Sequence, residues 1–227
     1  MTTPSPLVLQ PVALEDNAAL TELWFAAFNG PEIRKVIPDT PGVRKWLENA
    51  IRDDMLHKPF QRYVKVVDTT STDDQGRLRI VAYAKWDLAM PDERGRRFPP
   101  WHEEMPAAMC EEFFMKEEKN RLRVMGDTKH FCMVCRLSVA PGVFVETILH
   151  TDCLLDREKD LDTVATHPDY QRRGAGSMLV KWGCDLADAE GVGAYVDASK
   201  DGAPLYAKFG FVDYSPPGEE NSAMARR

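Results

Sequence analysis

Positive charge is short in this 227-residue chain: 29 Lys and Arg stand against 36 Asp and Glu, for a formal net charge of −7. Neutralising a phosphate backbone needs a basic face, so nucleic acid is not an expected partner. No apolar run approaches the length of a bilayer span, and no membrane partner is expected. The opening residues, MTTPSPLVLQ, carry neither a charged n-region nor an apolar h-region, so no secretory signal is expected. Cysteine is scarce and odd in number, five residues. That points to reduced thiols inside a cell rather than a disulfide framework. The cytoplasm is the expected compartment, with the nucleus left open. What remains is ordinary for a soluble globular protein, 44% apolar and 29% charged residues, long enough to bury a substantial core. One domain over 1–227 is expected.

The most informative stretch is LDTVATHPDYQRRGAGS, Leu161 to Ser177. Leu161, Thr163, Val164 and Ala165 read as a short strand, His167-Pro168 as a turn, and the rest as a loop of small and cationic residues. Met178, Leu179, Trp182, Leu186 and Ala189 follow at helical spacing. A strand, a glycine-bearing loop and a helix start present several backbone N–H groups to an anion. Gly174 and Gly176 allow close approach, and Arg172 and Arg173 add charge. The combination reads as a phosphate or pyrophosphate cradle. It is not a dinucleotide fingerprint, because Leu179 stands where the third glycine belongs, and no Gly-Lys-Ser/Thr follows to make a Walker loop.

Gln171-Arg172-Arg173-Gly174-Ala175-Gly176 resembles motif A of the GNAT family of N-acetyltransferases, Gln/Arg-x-x-Gly-x-Gly/Ala. AYVDAS (Ala194 to Ser199) and PLYAKFGF (Pro204 to Phe211) resemble its motif B, and the likeness runs from Asp160 to Tyr214, closest to fungal-type members. The resemblance implies an α/β fold: a mixed, mostly antiparallel sheet of six or seven strands with helices on both faces. It implies acetyl-CoA as co-substrate, its pyrophosphate on Gln171, Arg172, Arg173, Gly174, Ala175, Gly176 and Ser177. Its carbonyl would meet backbone N–H groups of Val164, Ala165 and Thr166, where neighbouring parallel strands splay. The pantetheine arm would lie in that splay, with Asp197, Ala198 and Ser199 on the other side. Tyr206 stands at the family's tyrosine position and would be the general acid. The base is open between Asp160, Asp162 and water. An amine acceptor is implied, but neither its identity nor the oligomeric state is readable. The competing reading is a non-catalytic acyl-CoA-binding or regulatory protein of the same fold.

Along the chain, Leu7 to Val12 reads as a strand. A helix from Glu15-Asp16-Asn17 follows and is ended by Gly30-Pro31. Another helix runs from Pro41 to Leu56 with Val43, Trp46, Leu47, Ile51 and Met55 as its buried stripe. Arg62 to Val67 and Leu78 to Leu88 read as a hairpin. An excursion over 91–125 carries a proline-punctuated loop, then a helix from Ala107 to Met125. That helix has Cys110, Phe113, Phe114, Leu122 and Val124 against a solvated face of Glu and Lys. Gly174 to Glu190 should be a helix capped by Gly191 and Ala194 to Ala198 a strand. Gly202 to Lys208 should be helical and Phe211 to Tyr214 a strand, with a short or frayed last hairpin.

His130 to Met133 looks like the start of the strand that continues in Thr163-Val164-Ala165, and removing 134–159 joins them as HFCM-DLDTVATHPDYQRRGAG. The segment is expected to be an insertion or a translated retained intron, since Val-Cys is what a GTATGT donor encodes and a terminal Lys can end in AG. It leaves 160–214 as the acetyl-CoA-binding core. Cys132-x-x-Cys135 with His150-x-x-Cys153 is only a loose match to structural zinc spacing, so no metal is expected.

Overall fold

The structure is a computed structural model of the whole chain, and residues 6–88, 100–133, 163–219 and 221–227 are described. The N-terminal half runs β1 (Leu7–Pro11), α1 (Asn17–Ala27), α2 (Pro31–Val36), α3 (Pro41–His57), β2 (Gln61–Thr72) and β3 (Leu78–Asp87). The C-terminal half runs α4 (Ala107–Met125), β4 (His130–Cys132), β5 (Val164–Thr166), α5 (Ala175–Glu190), β6 (Gly193–Ser199), α6 (Ala203–Ala207), β7 (Val212–Asp213) and β8 (Asn221–Arg226).

Local chemistry sets the boundaries. Thr40 caps α3 by accepting the Val43 N–H at 3.2 Å, with Pro41 at the first helical position. Gly191, at φ 64°, closes α5 in the left-handed region. Pro31 was expected to end a helix; it starts α2 instead, because proline's missing N–H costs nothing in a first turn. The last strand is also longer than expected. β8 has six residues and pairs with β6 along its length, from Ala194↔Arg226 to Ser199↔Asn221.

The described residues form an eight-stranded sheet in the order β1-β2-β3-β4-β6-β8-β7, with β5 also on β3. All pairs are antiparallel except β4 with β6. Alternation sorts the strand residues between two cores. Val64, Val66, Trp86, Phe131, Met133, Val164, Val196 and Ala198 face α5, which packs Leu179, Val180, Cys184 and Ala187 against them. Tyr63, Tyr83 and Ala165 face the other way, into a core built with α1, α3 and α4. Cys132 and Tyr195 pack beneath Val124 and Met125 at the end of α4.

The strand count rises above the expected six or seven partly because the central strand is in two pieces. β4 pairs with β3 at Asp87↔Cys132, and β5 pairs at Ala84↔Val164, Tyr83↔Ala165 and Ala82↔Thr166. Between them the Lys85 N–H donates to the Thr163 carbonyl at 2.8 Å. Stepping along β3 from Ala84 to Asp87 therefore takes the partner from Val164 through Thr163 and Met133 to Cys132. The two pieces hold the register they would have if Met133 were bonded to Thr163.

Gly183 marks the tightest helix–sheet approach: a Cβ there would lie 2.0 Å from the ring of the fully buried Trp86. Gly183→Ala is expected to destabilise the protein by about 2–3 kcal/mol, overpacking outweighing alanine's better helix propensity. Urea denaturation checks this; an unchanged midpoint would show that α5 does not sit so close to the sheet.

Candidate active site

Among the described residues β5 is laddered on β3 alone. The His167 N–H reaches the Val81 carbonyl at 2.9 Å, and Ala165 pairs with Tyr83. Antiparallel alternation then turns the Val164 and Thr166 N–H groups away from β3, toward β6. β6 pairs with β4 through Gly193, Ala194 and Tyr195, and the Met133 N–H closes that run on the Tyr195 carbonyl at 2.7 Å. Beyond it, no ladder joins β5 to Val196–Ser199 among the described residues. The sheet parts there.

At the mouth of this parting lies the loop into α5. Pro168–Tyr170 make one 3-10 turn, and the Asp169 N–H donates to His167 Nδ1 at 3.3 Å. Arg172 has φ 62°, and Gly174 follows at φ 94° as the residue preceding α5. This double excursion into the left-handed region aims successive backbone N–H groups inward, a geometry that suits an anion. Gln171, Arg172, Arg173 and Gly174 are exposed. No side chain caps the helix start. A Cβ on Gly176 would stand 3.2 Å from Leu205 and 3.9 Å from Thr166 Oγ1, so the end of β5, the first turn of α5 and α6 converge.

Tyr206 on α6 is fully buried in the α5-side core, its ring edge-on to Phe211 at 5.7 Å. Asp197 and Ser199 share the opposite face of β6 with Tyr195. The Tyr195 hydroxyl donates to Asp197 Oδ1 at 2.8 Å, and burial, then Asp197, pushes its ionisation well above the ordinary range. Ser199 Oγ accepts the Gly202 N–H at 3.0 Å, which fixes the turn into α6. The structure therefore gathers the β5 end, the glycine loop and α6 on one side of the parting. It turns the Asp197 and Ser199 side chains to structural partners on the other. Asp160, Asp162, Cys135, His150 and Cys153 lie outside the described residues. Among the described residues no cluster of three or more His, Cys, Asp or Glu could hold a metal, and no helix is long and apolar enough to cross a membrane.

Residues 123–213, which contain β4, β5, α5, β6 and α6, match the family model described as acetyltransferase (GNAT) domain. The match covers less than half of the chain. A curated acetyltransferase from Stachybotrys chartarum is 37% identical over 57 residues, which are 25% of this chain and 25% of that protein. The match thus spans a quarter of the curated relative's length. Among solved structures, the histone acetyltransferase HPA2 and related acetyltransferase from Corynebacterium glutamicum superposes with a TM-score of 0.51 at 20% identity. That comparison covers 97% of this chain and 95% of the other, so the chain shares that acetyltransferase's fold.

The other face of the sheet holds charge that sequence reasoning missed. Asp54 of α3, 3% exposed, accepts from the Tyr63 hydroxyl at 2.7 Å and from Lys85 at 2.8 Å through Oδ2, and meets Lys58 at 2.9 Å through Oδ1. Asp54, Tyr63 and Lys85, with Trp24, Tyr83 and Thr163, line a small cleft beside the start of β5. The signal was available: Asp54 falls on the α3 stripe of Val43, Leu47, Ala50 and Ile51, and Lys85 sits mid-strand among apolar residues. The charge run of α4 was read as a solvated face, yet Glu117 and Arg121 are buried while Leu122 is exposed. Arg121 Nη1 donates to His130 Nε2 at 3.1 Å. His130 Nδ1 lies 2.5 Å from the Thr128 carbonyl, which fixes the proton on Nδ1.

Burial opposes the charged form of Asp54, but Lys85 and Lys58, by charge and hydrogen bond, outweigh it and hold its carboxyl below the usual range. A carboxyl depressed in the folded state stabilises the fold above its unfolded value, near about 4, and loses that contribution as pH falls through the folded value. Asp54→Ala is expected to cost about 3–5 kcal/mol at neutral pH, since Lys85 stays buried without this carboxylate. The gap from wild type should narrow on acidification. Denaturation at neutral and acid pH checks both; a gap independent of pH would remove the ionised carboxylate from the account.

Proposed function

We propose that the protein is an N-acetyltransferase that moves the acetyl group of acetyl-CoA to an amine by direct attack within a ternary complex. One observation carries the reading: the exposed loop of Gln171 to Gly174, left-handed at Arg172 and Gly174, opens α5 beside the edge of β5 that has no ladder to β6 among the described residues. Backbone N–H groups of Arg172 to Ser177 and the helix N-terminus would take the diphosphate. Gly176, already in contact range of Leu205 and Thr166, leaves the approach unobstructed by a side chain of its own.

The amine nitrogen would attack the thioester carbonyl, whose oxygen would meet N–H groups on the β6-facing side of β5, at Val164 and Thr166; the Ala165 N–H, expected to join them, is turned to Tyr83 of β3. The C–S bond breaks as the tetrahedral centre collapses, and the Tyr206 hydroxyl returns a proton to the departing thiolate. The nitrogen's proton goes to water or to Asp160 or Asp162. Asp197 and Ser199 act by shaping the far wall of the parting, since their polar atoms are engaged by Tyr195 and Gly202.

Thiol release from acetyl-CoA in the presence of a panel of primary amines tests the reading, with calorimetry for CoA affinity. Amine-dependent release is expected. Binding without turnover would leave a non-catalytic acyl-CoA-binding protein, and no affinity for CoA would remove the assignment. Tyr206→Phe is expected to lower kcat by roughly 100-fold while acetyl-CoA affinity changes little; full turnover would take Tyr206 out of the mechanism.

Segment 134–159 is, in this reading, an insertion within one strand; β4 and β5 lie on β3 as if Met133 were joined to Thr163, so its removal leaves Asp160, Leu161 and Asp162 beyond what that register needs. Its deletion is expected to yield soluble protein with CoA affinity and thermal midpoint at least equal to those of the full chain. Failure of the shortened chain to fold would make the segment an integral part of the domain. A spliced transcript joining codons 133 and 160 would identify a retained intron.

A further inference from the structure

The parting between β5 and β6 has a carboxylate at its apex. β4 and β6 run level from His130↔Gly193 to Cys132↔Tyr195, and the Met133 N–H closes that run on the Tyr195 carbonyl. β5 continues on β3 as if Met133 were joined to Thr163. Counting on in that register sets Met133 level with Val196, Thr163 with Asp197 and Val164 with Ala198. Asp197 is thus the first residue of β6 to stand beside β5. It lies one residue short of the level of Val164, whose N–H faces β6. Alternation gives its side chain the face of Tyr195, which packs beneath Val124 and Met125 of α4. Thr163 lies on that same face and lines the cleft with Trp24 and Tyr83.

A wall of the parting needs no charge. Asp197 is 2% exposed, and burying a carboxylate costs several kcal/mol that an apolar side chain would avoid. The Tyr195 hydroxyl donates to its Oδ1 at 2.8 Å, and its ionisation, pushed far up by burial and by Asp197, keeps it a donor. A neutral donor of this kind fixes the carboxyl group without cancelling its charge. The cation above Tyr195 is committed elsewhere: Arg121 donates through Nε to Glu118 at 2.8 Å and through Nη1 to His130 at 3.1 Å. Asp54, the buried acid on the other side of β5, already holds the ammonium groups of Lys85 and Lys58.

The opposite face of the sheet is packed by Leu179, Val180 and Tyr206, so an acceptor comes to the thioester from the face of Asp197. An alkyl amine at neutral pH is an ammonium ion without a lone pair to attack with. It has to lose one proton before attack, besides the one lost as the tetrahedral centre collapses. We propose that Asp197 receives the acceptor as an alkylammonium ion on the face away from α5 and takes that first proton. An N–H bond breaks, an O–H bond forms on the carboxylate, and the electron pair stays on nitrogen for the thioester carbonyl. The proton passes to bulk water between turnovers. This rests on the acetyl-CoA reading above and names its substrate class, a basic alkyl amine rather than an arylamine.

Ethylamine and trifluoroethylamine separate this role from a structural one, because fluorine withdraws charge and leaves the second amine neutral at neutral pH. Asp197→Asn is expected to lower kcat/KM for ethylamine by about 100-fold and to spare trifluoroethylamine by at least about tenfold relative to it, with CoA affinity by calorimetry little changed. Asp197→Glu, which keeps a carboxylate, should restore part of the preference for ethylamine. Should Asp197→Asn not fold, Asp197→Ala runs the same comparison. Equal losses on both amines make Asp197 structural, and no loss on ethylamine removes it from the reaction; either result overturns the proposal while the acetyl-CoA reading stands. A wild type that acetylates trifluoroethylamine alone, or neither amine, overturns it as well. Wild type without CoA affinity overturns the functional reading and this one with it.

Discussion

Three residues of β5, hydrogen-bonded in antiparallel register to Ala82, Tyr83 and Ala84 of β3, anchor everything that follows them. They set where the chain leaves the sheet, and so where the turn at Pro168–Tyr170 and the start of α5 must lie. The same pairing leaves the opposite edge of β5 facing β6 without a ladder among the described residues. An interrupted strand would ordinarily be a weak place to build a site. Here β3 carries both pieces in one register, so the geometry survives the interruption between Met133 and Thr163.

The two faces of the sheet divide the labour by polarity. Toward α5 the core is almost wholly apolar, with Trp86 packed against Gly183 and Tyr206 buried beside Phe211. Close packing of that kind keeps a helix N-terminus fixed relative to a strand end. Toward α1, α3 and α4 the sheet instead buries ions: Asp54 with Lys85 and Lys58, and Arg121 with Glu118 and His130. Such groups tolerate burial because each has partners within hydrogen-bonding distance.

Much of this was readable in advance. Alternation and helical spacing placed β3, α3, α4 and α5 close to their observed bounds, while β2 runs on from the expected Val67 to Thr72, and Gly174, Gly176 and Gly191 announced both ends of α5. The errors have specific causes. Pro31 is compatible with either a helix end or a helix start, and only the turn before it decides. A charge run on α4 looks the same whether it faces water or a sheet that offers His130 and Tyr195. β8 is short and polar at its start, and its pairing with β6 is a long-range fact that no local pattern contains.

Motif and period alone determined that a strand, a glycine loop and a helix would follow one another from Thr163 to Glu190, because backbone N–H geometry and side-chain spacing are properties of neighbouring residues. Tertiary structure decided which distant groups meet: Lys85 with Asp54, and Thr166 with Gly176 and Leu205. Those meetings depend on strand order and register, and a one-residue shift in register would have sent each side chain to the opposite face.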